Sequence, residues 1–132
     1  MSTLSLVSDY MNRTLVTLSP EQEINSAVHV LLDHKISGAP VVDKAGRLVG
    51  ILTEKDGLRA ALEASYYREW GKPVSAYMAK DVVTMDPNLD LLTACQQFLN
   101  GPYRRFPVVE DGRLLGLISR TDILRGLAEN WG

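Results

Sequence analysis

The chain has 132 residues, of which 45% are apolar and 23% charged, usage that supports a packed core and excludes a disordered polymer. Its formal charge of -2 offers no general attraction to nucleic acid or anionic membrane, so any anion site has to be local. The single cysteine, Cys95, excludes an internal disulfide and a cysteine-rich metal site, and no window approaches the roughly 20 apolar residues of a membrane-spanning helix.

In chain order, Leu4 to Met11 is expected to form a short leading helix. Leu15 to Leu18 reads as an extended piece ended by Ser19-Pro20, because a proline disfavours helix at the residue before it. Ile24, Ala27, Val28, Leu31 and Leu32 then fall at i, i+3, i+4, i+7 and i+8, the apolar face of a helix. Ala39 to Asp43 and Arg47 to Leu52 read as strands of a hairpin turning at Lys44-Ala45-Gly46. From Thr53 a helix runs through Leu58, Ala61 and Leu62, extends into Ala64 to Lys72, and is expected to end at Gly71.

The same order then returns. VSDYM (7–11) recurs as VSAYM (74–78), VTLSP (16–20) as VTMDP (83–87), and APVVD (39–43) as FPVVE (106–110), all at an offset of 67. One residue is lost in the turn, and GRLVGILTEKDGLR (46–59) recurs as GRLLGLISRTDILR (112–125) at 66. Leu91, Ala94, Cys95, Phe98 and Leu99 repeat the first helical face. Pro107 to Glu110 and Arg113 to Ile118 repeat the hairpin around Asp111-Gly112, and Ile123 to Asn130 forms the last helix. Gly101-Pro102 shortens the second copy's first helix, where the first copy carries His34-Lys35. A long unit occurring twice argues for two pseudo-symmetric halves and not a solenoid. The expected fold is α+β, two β-α-β-β-α motifs packed sheet to sheet as one module, since neither half alone has a sufficient core. The repeats divide as 1–72, with the leading helix and an aromatic linker, and 73–132.

GILTEKD (50–56) and GLISRTD (116–122) each place a hydroxyl residue where a strand hands over to a helix, with an aspartate three residues on. Unpaired backbone N–H groups collect at such a junction, a place for a phosphate-bearing ligand. The pattern Thr53-x-x-Asp56, like Ser119-x-x-Asp122, is also a helix capping box. The two readings are compatible: the hydroxyl caps the helix while the aspartate faces a ligand.

With these motifs the chain resembles the tandem CBS-domain pair, or Bateman module, over almost its whole length. The resemblance implies a binding module for AMP, ADP, ATP or S-adenosylmethionine, seated in clefts between the copies. It implies that Asp122 and Asp56 take ribose hydroxyls and that Ser119, Thr121 and Thr53 stand near phosphate. Lys55 departs from the pattern, standing where Ser or Thr is usual; a lysine can itself meet a phosphate. Gly38, Ala39 and Pro40, with Arg105, Phe106 and Pro107, fall where family members line base and phosphate. Thr17 and Thr84 fall on the segment used near adenine. Alternation allows only one of Arg104 and Arg105 to face a cleft; Arg105 adjoins the base-lining position, and Arg104 points across it towards phosphate.

Other residues carry plainer expectations. His29 and His34, five apart, do not share a helix face as metal ligands, and any Mg²⁺ would arrive with ATP. Cys95 is expected to be an inert core residue. Tyr66, Tyr67 and Trp70 lie in a segment the second copy lacks, and either staple the joint between repeats or meet a second copy. No nucleophile elbow, glycine-rich phosphate loop or histidine–carboxylate pair is present, so no catalysis is expected. The functional expectation is a regulatory module with no obligatory cofactor and an adenosyl ligand. It is expected to be a cytoplasmic homodimer acting in trans on a protein effector, with no nucleic-acid or membrane partner. The alternative is a ligand-free structural or dimerisation module mediating protein–protein interaction.

Overall fold

A computed structural model describes residues 5–131. The elements are α1 (Val7–Tyr10), α2 (Ile24–His34), β1 (Gly38–Val42), β2 (Leu48–Thr53) and α3 (Glu54–Tyr67). A 3₁₀ turn at Val74–Ala76 follows, then α4 (Leu91–Leu99), β3 (Arg105–Glu110), β4 (Arg113–Ser119) and α5 (Arg120–Trp131). The class is α+β. The expected first strand of each copy is shorter than anticipated, a single parallel bridge, Leu18 to Val41 and Met85 to Val108. The leading helix is α1 alone, and Leu4 lies outside the described residues.

The chain condenses into two compact units. The first unit comprises residues 16–82; the second comprises 83–131 together with 5–15. The sequence repeats and the compact units are therefore offset. Each unit joins the helix–hairpin–helix of one repeat to the leading segment of the other.

That leading segment adds an antiparallel edge to each hairpin. In the second unit the Asn12 N–H donates to the Leu117 carbonyl at 2.8 Å, and the Leu117 N–H returns to Asn12 O at 3.0 Å. In the first unit Ile51 and Ala79 exchange the same pair at 2.9 Å each. Gly116 and Gly50 make this approach possible: a Cβ at either would stand 2.8 Å from the backbone oxygen of Asn12 or Ala79. The glycine opening each GILTEKD-type motif is thus a packing requirement.

The hairpins differ by the one deleted residue. β3 turns into β4 through Asp111 and Gly112, both at positive φ, the two-residue turn that matches strand twist. The longer turn of the first unit is held by Asp43, whose Oδ1 accepts from Ala45 N and Arg47 N at 2.9 Å each.

The two cores are built position for position. Leu18, Ile24, Ala27, Leu31, Val41 and Leu52 are buried in the first unit, and Met85, Leu91, Ala94, Phe98, Val108 and Ile118 in the second. The buried stripe of each first helix is narrower than the spacing suggests. Leu32 is 61% exposed and its counterpart Leu99 79%, so the i+8 position faces outward in both copies. Cys95 is half-buried beside the core and not within it; with Phe98, Leu99, Ile123, Leu124 and Leu127 it lines a shallow groove of about 380 Å³. α4 is two residues shorter than α2, ending at Leu99 before Asn100 and Gly101-Pro102. Helix α3 stops at Tyr67, four residues before Gly71, with Arg68 left-handed at φ 55. The reversal carries Trp70 back against the first unit's core while Tyr66 and Tyr67 stay exposed.

Candidate functional site

In the second unit β4 delivers Ser119 to the start of α5. The Asp122 N–H donates to Ser119 Oγ at 3.2 Å, and the Ser119 N–H donates to Asp122 Oδ2 at 2.9 Å, so both halves of the capping box form. The other carboxylate oxygen, Oδ1, accepts from Arg125 Nη2 at 3.2 Å. Asp122 is held on both oxygens with its side chain 17% exposed.

This carboxylate lies on the wall of a cavity of about 460 Å³. The cavity is lined by Tyr10, Met11 and Asn12 of the leading segment, Arg105 of β3, Leu117 and Ser119 of β4, and Asp122 and Arg125 of α5. Arg105 pairs in register with Ser119 across the sheet. Arg125 also stands over the Tyr10 ring, its Cζ 5.8 Å from the centroid, a cation–π contact that fixes the guanidinium beside Asp122. Two carboxylate oxygens, a hydroxyl, an amide and two guanidiniums thus converge on one concavity, a set that suits a polar ligand with a diol and an anionic group.

The first unit repeats the frame with different fittings. Thr53 N donates to Asp56 Oδ2 at 2.9 Å, Thr53 Oγ1 donates to the same oxygen at 3.0 Å, and Arg59 pairs with Oδ1. The Asp56 side chain is 10% exposed. Gly38 occupies the register position opposite Thr53 that Arg105 holds opposite Ser119. Ala79 stands where the second unit has Asn12. Tyr77, the counterpart of Tyr10, is buried and donates its hydroxyl to Glu63 Oε2 at 2.7 Å. That hydrogen bond, with burial and the Glu63 charge behind it, pushes the phenol up to about 12.

The structure therefore sorts the residues singled out by sequence. Arg105, Ser119 and Asp122 line one cavity, and Thr53 and Asp56 form the matching cap. Arg104 is exposed and outside the cavity lining; its carbonyl accepts from Arg120 N at 3.2 Å, so Arg105 and not Arg104 is the inward arginine. Thr17, Thr84, Thr121 and Lys55 have exposed side chains. Ala39 and Phe106 belong to the cores, with Phe106 packed on Phe98 at 4.8 Å between ring centroids, and Pro40 and Pro107 are fully buried, so all four shape the site through backbone position. Tyr10, Met11, Asn12 and Arg125 were not singled out. For Tyr10 and Met11 the signal was present in the recurrence of VSDYM as VSAYM, two segments too short for a helical face yet kept in both copies. Among the described residues no cluster of metal-ligating side chains occurs, and no helix is long and apolar enough to cross a membrane.

A family model for the CBS domain matches residues 7–63 and 74–129. Protein MJ1225 of Methanocaldococcus jannaschii is 30% identical over 125 residues, 95% of this chain and 44% of that protein, so the chain spans less than half of this relative. Among solved structures, the chain resembles CBSX2 of Arabidopsis thaliana in complex with AMP, with a TM-score of 0.82 and 27% identity. That match covers 96% of this chain and 98% of the other. It also resembles the CBS domain pair of protein MJ0100 in complex with 5-methylthioadenosine and S-adenosyl-L-methionine, with a TM-score of 0.76 and 26% identity over 97% and 99%.

Proposed function

Because the chain belongs to the CBS-domain family and carries two copies in tandem, we propose that it is a regulatory module that binds an adenosyl ligand and acts in trans, as a homodimer, on a partner protein. The observation that carries this reading is the cavity of the second unit, where Asp122, Ser119, Asn12 and Arg105 converge. Neighbours of the same fold bind AMP, and 5-methylthioadenosine with S-adenosylmethionine, ligands that share the ribose-and-adenine portion. Asp122 offers the acceptors a ribose diol needs. Its oxygens are committed to a backbone N–H and a guanidinium, which suits holding a sugar and not transferring a proton. The role is binding, not catalysis.

A second reading, a dimerisation module without ligand, is favoured by one observation. Leu99 and Leu124 in the second unit, and Leu32, Leu58 and Leu62 in the first, are exposed on the helices, apolar side chains that a second copy would take out of water.

Titration calorimetry and thermal melts with AMP, ADP, ATP and S-adenosylmethionine test the choice. A ligand at 100 times its dissociation constant adds about 2.7 kcal/mol to stability and raises the melting temperature. Asp122→Ala is expected to weaken that ligand at least about tenfold while the circular dichroism spectrum is kept. No response to any of the four, with a dimer by sedimentation, would leave the dimerisation reading standing alone.

A further inference from the structure

Resting on the adenosyl-ligand reading, we infer that Tyr10 is a positioning residue of the second unit's site: its ring holds Arg125 against Asp122, and so fixes the carboxylate that meets the ligand's diol. Asp122 is anchored from two directions. The Ser119 N–H donates to Oδ2 at 2.9 Å, and Arg125 Nη2 donates to Oδ1 at 3.2 Å. The first anchor alone leaves the carboxylate free to turn about its bond to Cβ; the second sets its plane. A diol needs two acceptors at a fixed separation, and a site gains affinity when they are fixed before the ligand arrives.

The second anchor is contested. Arg125 lies on one face of α5 between two carboxylates, Asp122 at i,i+3 and Glu129 at i,i+4, and its side chain is 51% exposed. Glu129 Oε2 already stands 3.9 Å from Arg125 Nε, so an arginine left to itself divides its time between them. The Tyr10 ring tips the balance. Its centroid lies 5.8 Å from the guanidinium carbon, within cation–π reach. The ring is closely seated: a Cβ on Gly126 would stand 3.0 Å from it, Met11 beside it belongs to the core, and Asn12 is paired with Leu117. The internal repeat supplies a control. In the first unit Tyr77 donates to Glu63, the counterpart of Glu129, and Arg59 pairs with Asp56 alone among the described residues. There the competing carboxylate is occupied by the tyrosine. In the second unit it is left to compete, and the tyrosine ring lies against the arginine instead.

Calorimetric titration of the full chain with adenosine and with dideoxyadenosine, which lacks the vicinal diol, tests this. The parent should prefer adenosine at least about tenfold. Tyr10→Leu should cut that preference by about two- to fivefold, while Tyr10→Phe, which keeps the ring, should retain it. Tyr10→Met takes the place of Tyr10→Leu if the latter loses the parent's circular dichroism spectrum. Arg125→Met should lose the preference to at least the same extent. Adding Tyr10→Leu to Arg125→Met should then change the ratio by less than about twofold, since the ring acts through the arginine. A Tyr10→Leu effect undiminished in the Arg125→Met background overturns the inference, as does an unchanged preference in either single variant. Equal binding of the two nucleosides by the parent also overturns it and leaves the adenosyl reading intact. Failure of the parent to bind either nucleoside removes both.

Discussion

Tyr10 and Tyr77 occupy the same place in the two repeats and do different work. Tyr10 is half-buried, with Arg125 over its ring, on the wall of a cavity. Tyr77 is buried and hydrogen-bonded to the Glu63 carboxylate at 2.7 Å. Its phenol is raised from 10.0 to about 12, so the contribution to stability is complete below the ordinary value and is lost as pH rises through the folded one. Tyr77→Phe is expected to cost about 1 kcal/mol at neutral pH. In urea melts the gap from the parent should close between about pH 10 and about pH 12; a gap that keeps its size across that range would show that the contribution does not depend on the Tyr77 proton. The recurrence of VSDYM as VSAYM put both tyrosines at one repeated position. Which one was buried depended on neighbours distant in sequence and was not legible.

Among the elements, α3 and α5 descend from one pattern yet pack differently. Position 60 is alanine, fully buried in the first unit's core. Its counterpart is Gly126, where a Cβ would meet Leu91 Cδ1 at 2.5 Å and the Tyr10 ring at 3.0 Å. Alanine is favoured over glycine within a helix by about 1 kcal/mol, but overpacking of a fixed core costs about 1–3 kcal/mol. Leu91 is buried in the second unit's core, so Gly126→Ala is expected to destabilise the fold by about 1–2 kcal/mol. A raised melting temperature would show that α5 shifts to accept the methyl. Helix periodicity located both elements and most of their buried faces, while Leu32 and Leu99 fell outside because a helix on one small sheet is covered over a narrower arc.

For the whole molecule, the decisive feature is the exchange of leading segments between repeats. Residues 5–15 complete the second unit and residues 73–82 the first. Val7 and Met11 sit in the second unit's core, and Val74 and Tyr77 in the first. A chain beginning at Arg13 should lose the Asn12 acceptor of the Leu117 N–H, so hydrogen exchange there should accelerate at least about tenfold. The Ile51 N–H, bonded to Ala79 O, should change less than about twofold. Equal acceleration at both amides would sink this assignment of segments to units.

Local patterning alone determined the duplication, the hairpins and the two capped helix starts. Each of these rests on contacts between residues close in sequence: alternation, turn chemistry, or a hydroxyl three residues from an aspartate. The tertiary structure decided which arginine faces the cavity, which tyrosine is buried, and which repeat's leading segment borders which hairpin. Those outcomes depend on partners tens of residues away, such as Asn12 against Leu117, and no spacing along the chain encodes them.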